Sequence, residues 1–142
     1  MPDRAEPTAL ARLVDGPIDR AELEAFAATS ADGAVVVFEG VIRDHDHGAS
    51  VTALDYSAHP DALSFLQRIC EGVAASSGLR VAAAHRIGHL AIGDVALVAV
   101  VAAAHRREAF ETCARLVDEI KEGAPIWKRQ ALADGVTEWV GL

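Results

Sequence analysis

Apolar residues recur along this chain in two rhythms. Ala34 to Ile42, rich in Val and Phe and opened by the turn signal Asp32-Gly33, predicts a strand. Thr52 to Ser57 predicts a second strand, paired with the first. The spacing then lengthens. Leu63, Leu66, Ile69, Cys70 and Val73 repeat at helical intervals, with Pro60 suited to the first turn and Gly78 to the C-cap. Leu79 to His85 and Val95 to Ala102 predict two further strands. The latter is nearly all apolar, which places it at the centre of a sheet, covered on both faces. Phe110, Cys113, Leu116, Val117 and Ile120 form the stripe of a long helix from Arg106 to Ile120, ended by Gly123 and Pro125. Ile126 to Leu132, Asp134-Gly135 and Val136 to Val140 predict a closing hairpin. Near the start, Asp19-x-x-Glu22 is a capping-box variant that opens a short helix to about Ala28. Residues 1–17 hold three prolines and little periodicity, and predict a loose start.

These elements fit one domain over residues 1–142. Its class is α+β, a mainly antiparallel sheet with packed helices. No repeat or linker interrupts it. The formal charge of −8 argues against a nucleic-acid surface, so any anion needs a local basic cluster. Val95 to Ala104, the most apolar stretch, is far shorter than the roughly 20 residues that span a bilayer. Met1 to Glu6 is polar and lacks a signal-peptide core. The expectation is a soluble cytoplasmic protein without a membrane partner. Cys70 and Cys113 fall on apolar helix faces, which predicts buried, inert thiols rather than a disulfide.

Cation choice carries the first chemical signal. The chain has eleven arginines and two lysines, Lys121 and Lys128, seven residues apart around Gly123-Ala124-Pro125. Where charge alone suffices, this sequence uses Arg. An amine can give up its proton when burial and neighbouring cations help, whereas a guanidinium effectively cannot. The lysines are therefore candidate bases or nucleophiles. Arg43, Arg106 and Arg129 are the cations that would assist if they converge.

Two further segments fit an anionic ligand. Arg43-Asp44-His45-Asp46-His47-Gly48 follows a strand directly, a common place for binding residues. Its His-x-His has no evident third and fourth metal ligand, so no metal is expected. His105-Arg106-Arg107 stands where the buried strand gives way to the long helix, whose first N–H groups favour an anion. Charge pairing with Glu108 and Glu111 also explains that cluster. His85-Arg86-Ile87-Gly88-His89 reads as a structural turn.

Taken in order, these pieces resemble the large, catalytic subunit of molybdopterin synthase. The likeness runs from about Asp32 to Trp139. It includes Phe38-x-Gly40-x-x-Arg43-x-His45, His85-Arg86-Ile87-Gly88, Ala104-His105-Arg106 and Lys121-x-x-Ala124-Pro125-x-Trp127-Lys128-Arg129. The resemblance implies an α/β hammerhead fold with an extra small sheet. It implies a sulfurtransferase of molybdenum cofactor biosynthesis that converts cyclic pyranopterin monophosphate to molybdopterin. The sulfur donor would be the C-terminal thiocarboxylate of a small ubiquitin-like carrier ending Gly-Gly. The large subunit would be a homodimer within a heterotetramer, and no cofactor is implied. By motif, Lys121 and Lys128 are catalytic, and Arg43, His105 and Arg106 line the anionic substrate pocket, with Arg129 beside them. The chain departs from the common pattern at Ser57, His89 and Gln130, the last two standing where Glu is frequent. The residues alone leave two alternatives: a non-catalytic binding module for an anionic metabolite, or a phosphate-ester hydrolase or acyl transferase.

Overall fold

The computed structural model describes residues 8–46, 48–135 and 137–141, with the backbone alone at Glu138. His47, in the segment that follows the Ala34–Ile42 strand, and Val136, in the expected hairpin, lie outside the described residues.

The order of elements is β1 (Ala9–Val14), α1 (Arg20–Ala27), β2 (Ala34–Val41), β3 (His45–Asp46), β4 (Ala49–Ala58), α2 (Ala62–Ser77), β5 (Val81–Arg86), β6 (Gly88–Ala91), β7 (Val95–Ala103), α3 (Arg106–Gly123), β8 (Ile126–Leu132) and β9 (Thr137–Gly141). One sheet runs β1-β5-β7-β2, with β1 parallel to β5 and the other pairs antiparallel. The second runs β3-β4-β8-β9, with β6 also on β4, and is antiparallel throughout. The class is therefore α+β, mainly antiparallel, as the periodicity predicted.

β7 takes the central place expected of its apolar run. Successive strand residues face opposite sides, so the run serves two cores. Leu97, Ala99 and Val101 join Leu66, Cys70, Val73, Leu116 and Ile120 beneath α2 and α3. Val98, Val100 and Ala102 join Leu23 and Ala27 of α1 on the other face. A third, smaller cluster of Ile42, Leu54, Leu90 and Ala96 sits where the two sheets meet.

The helix boundaries follow their predicted signals. Asp19 Oδ1 accepts from the Glu22 backbone N–H and caps α1. Gly78 adopts φ 75° and closes α2 in the left-handed conformation that glycine tolerates. Gly33 answers a different need. A Cβ there would lie 2.7 Å from the Ala104 carbonyl oxygen, so the start of β2 could not approach the end of β7.

Four expectations are corrected. The stretch before residue 18 contains β1, whose Ala-Leu-Ala-Arg sequence gives little contrast between its faces but which pairs with β5 over six residues. The Thr52–Ser57 strand does not pair with Ala34–Ile42. β4 lies between β8 and β6, whereas β2 pairs with β7, where α1 and α3 can cover it. The turn expected at His85–His89 is the junction of two strands, β5 and β6. Phe110 leaves the buried stripe of α3 and is 58% exposed, because Ala109, Thr112 and Cys113 turn that face to the sheet.

β1 is an edge strand, and side chains occupy three of its outer polar groups. The Ala11 N–H donates to Gln67 Oε1 at 3.1 Å, and Gln67 Nε2 donates to the Ala9 carbonyl at 3.2 Å. Arg12 Nη1 donates to the Ala11 carbonyl at 3.4 Å.

Candidate active site

Where the two sheets meet, a cavity of about 280 Å³ opens. Its walls come from the end of β2 and the segment after it (Gly40 to Arg43), β3 (His45, Asp46), β4 (Leu54, Tyr56), β5 (His85), β7 (Ala96, Leu97), α3 (Lys121) and β8 (Lys128, Gln130). Both lysines of the chain therefore line one hollow, with Arg43. Each arrives by a different local rule. Lys121 occupies the last turn of α3, where a cation suits the exposed carbonyl ends. Lys128 stands directly across from Tyr56 in the β4–β8 ladder. Strand alternation puts Gln130 on the same face and Arg129 on the opposite one. Arg129 does not line the cavity.

Asp46 ties the cationic side together. It is 7% exposed. Its Oδ1 accepts from Arg43 Nη2 at 3.3 Å, and its Oδ2 accepts from Gln130 Nε2 at 3.0 Å and lies 3.9 Å from Lys128 Nζ. A carboxylate held by two hydrogen bonds and paired in charge with Lys128 keeps Arg43 and Lys128 close without letting them repel freely. Sequence reading missed Asp46 and Gln130 as a pair, because they are 84 residues apart.

The Lys121 residue is exposed overall, yet protein around its ammonium withdraws water, and Lys128 adds like charge. Both effects lower its pKa, burial more than charge. His85, 1% exposed, is pushed down to about 4, chiefly by burial. Its bond to the Arg86 carbonyl opposes that fall and the Lys121 charge reinforces it. Tyr56 packs edge-on against the His85 ring, centroids 4.7 Å apart, and burial raises its hydroxyl to about 12. The phenol thus stays protonated and can donate.

His105 and Arg106 open on a different hollow, with Arg107, Phe110 and Glu111. Fifteen residues of α3, Arg106 to Ile120, separate the N-cap His105 from Lys121, about 24 Å along the helix. Within one chain Arg106 therefore cannot be the cation that lowers the Lys121 pKa; Lys128 is. No group of three His, Cys, Asp or Glu side chains able to hold a metal is found among the described residues.

The family model described as "MoaE protein" matches residues 13–123. The chain belongs to the MoaE protein family. Among its relatives, molybdopterin synthase catalytic subunit 1 of Mycobacterium tuberculosis (strain ATCC 25618 / H37Rv) is 41% identical, the match covering 92% of this chain and 89% of that protein. The crystal structure of molybdopterin synthase from Staphylococcus aureus matches with a TM-score of 0.84 and 33% identity, over 92% of this chain and 96% of that one. A chain from the complex of subunits 1 and 2 of molybdopterin-converting factor from Helicobacter pylori 26695 has the same fold, with a TM-score of 0.70 at 22% identity, over 92% of this chain and 88% of that one. These relatives make this MoaE protein an enzyme of the molybdopterin synthase catalytic-subunit kind, a sulfur-transfer enzyme of molybdenum cofactor biosynthesis. They lend no support to the binding-module, hydrolase or acyl-transferase alternatives. No helix among the described residues is long and apolar enough to cross a membrane.

Both cysteines of the MoaE chain are buried in the core beneath α2 and α3. Burial, with Glu71 adding a little, raises Cys70 to about 12, and burial raises Cys113. Neither is a ready thiolate at neutral pH. Cys70→Ala with Cys113→Ala is therefore expected to retain sulfur transfer, at some cost in thermal stability. Loss of transfer in a double variant with native circular dichroism would overturn this.

Proposed function

We propose that this chain transfers sulfur from the C-terminal thiocarboxylate of a small ubiquitin-like carrier ending Gly-Gly to cyclic pyranopterin monophosphate. The observation that carries the reading is the meeting of Lys121, Lys128 and Arg43 in one cavity of an otherwise acidic protein. Both reactants are anions, and this cavity presents cations to them. A glycine tail suits so small an opening because it has no side chain to exclude. The Helicobacter pylori complex of two subunits is a precedent for such a partner. Lys121, with its lowered pKa, is the group that moves a proton or attacks. Lys128 and Arg43, braced by Asp46, hold negative charge. Arg129, on the other face of β8, would serve carrier docking or substrate only from outside the cavity. The setting is the cytoplasm.

His105 and Arg106 take part in this reading through a second copy of the chain. One helix holds them about 24 Å from Lys121, so a shared substrate requires the homodimer. Carriers bound to each copy would complete a heterotetramer.

The test mixes purified chain, precursor and carrier and assays the dithiolene product. Three carriers are compared: the thiocarboxylate, the ordinary carboxylate, and one lacking its two terminal glycines. Product with the intact thiocarboxylate alone supports the reading. Equal product in all three mixtures, or none in any, overturns it.

A further inference from the structure

His85 is a buried titratable group that the proposed chemistry leaves without a task. It lies at the end of β5, and its ring reaches the same cavity as Lys121. Its Nδ1 is 2.8 Å from the Arg86 carbonyl oxygen. A carbonyl can accept but not donate, so Nδ1 carries the hydrogen. Lys121 and Lys128 already charge this cavity, and burial disfavours a further cation. The ring is therefore neutral, and Nε2 presents a lone pair. Tyr56, edge-on at an interplanar angle of 79°, limits the tilt of the ring. Among the described residues, Nε2 has no hydrogen-bond partner, and the Lys121 ammonium has neither a hydrogen bond nor an ion pair. A strong donor and an oriented acceptor, neither with a partner within the protein among the described residues, thus line one small cavity.

We propose that His85 is a positioning residue for Lys121: its fixed, uncharged imidazole offers Nε2 as the acceptor on which the Lys121 amine settles at the inner end of the cavity. An acceptor rather than an anion suits this place. A carboxylate in the position of His85 would pair with Lys121 and hold its proton, whereas a neutral nitrogen orients the amine and leaves the proton removable. The other groups facing the pair are Tyr56 from β4, Lys128 from β8, Asp46 from β3, and Arg43 and His45 beside it. Asp46 is engaged with Arg43, Gln130 and Lys128, and His45 with Asp44. The importance of the contact for catalysis rests on the sulfur-transfer reading; the contact itself does not.

Two lysines make the test direct. The chain is labelled with lysine carrying carbon-13 at Cε, and its two signals are assigned with a Lys128→Arg variant. Titration in His85→Phe is expected to move the Lys121 midpoint down, to about tenfold weaker proton affinity, because an acceptor for the charged form is gone. His85→Gln, which restores an acceptor, is expected to recover much of the loss. In the unmutated chain, the nitrogen-15 signal of His85 Nε2 is expected to shift with the Lys121 midpoint. An unmoved Lys121 midpoint in folded His85→Phe overturns the proposal. Should that variant fail to fold, an Nε2 signal that stays flat through the Lys121 titration overturns it as well, and one that follows it supports it. None of these readouts needs carrier or product, so they stand apart from any failure of the sulfur-transfer reading. With the full reaction mixture, a fall in kcat at unchanged KM in His85→Phe is the accompanying kinetic result.

Discussion

Lys121→Arg is expected to leave a folded protein that turns over at least about a hundredfold more slowly, the lower end of what a positioned proton-transfer group contributes. The substitution keeps the positive charge on a flexible side chain of similar reach, about one atom longer. It removes the one property that the surroundings of Lys121 promote, which is a proton that leaves easily. Burial and Lys128 both lower the Lys121 pKa. The sign follows: the neutral amine becomes available at a lower pH than for a free lysine. The wild-type rate should accordingly rise with pH along a limb displaced to the acid side of ordinary lysine titration, and the Arg variant should lack that limb. Lys128→Arg is expected to cost less, since Lys128 stands 3.9 Å from Asp46 and its task is charge. Single-turnover product formation across pH measures both. Near-wild-type turnover by the Lys121→Arg protein would remove Lys121 from the chemistry.

Mixing two inactive proteins is expected to restore activity. Lys121→Arg and Arg106→Ala damage opposite ends of α3. If each working site draws Lys121 from one copy and Arg106 from the other, a dimer of one variant with the other holds one intact site and one doubly damaged site. Random exchange of equal amounts makes half the dimers mixed, so about a quarter of wild-type sites return, from a background near zero. The measurement is product formation after unfolding and refolding the two variants together, against each refolded alone. No gain over the separate proteins would mean that each site is built within one chain, and would take His105 and Arg106 out of the substrate pocket.

Some of this was legible in the residues and some was not, for physical reasons. β7 could be placed from its composition because a strand covered on both faces has no polar side to hide. The caps of α1 and α2 could be placed because Asp19 and Gly78 act on their own neighbours. β1 escaped notice because alanines on its faces give no contrast, and its partner lies about seventy residues away. The pairing of β4 was misjudged for a related reason. Adjacent strands often pair, but β2 is drawn to β7 by the helices that cover them both. At the site, scarcity pointed to Lys121 and Lys128 before any geometry was known. Asp46, Gln130 and His85 gave no such signal, because each is an ordinary residue until the fold brings its counterpart across. The separation of Arg106 from Lys121 needed just the length of one helix, which the apolar stripe had already supplied.

The strapping of Gln67 and Arg12 along β1 bears on how copies of the protein can join. A sheet can be lengthened at either border, and a protein with both borders open can string into filaments. Here the Ala9 and Ala11 carbonyls and the Ala11 N–H of the β1 border are taken up by side chains of the same molecule. The opposite border, β2, meets no further strand among the described residues. Lengthening is thus biased to one direction. Two molecules laid border to border through β2 would carry a partly occupied β1 margin at each far end of the joined sheet. Gln67 and Arg12 in this way steer strand addition on this sheet toward its β2 border.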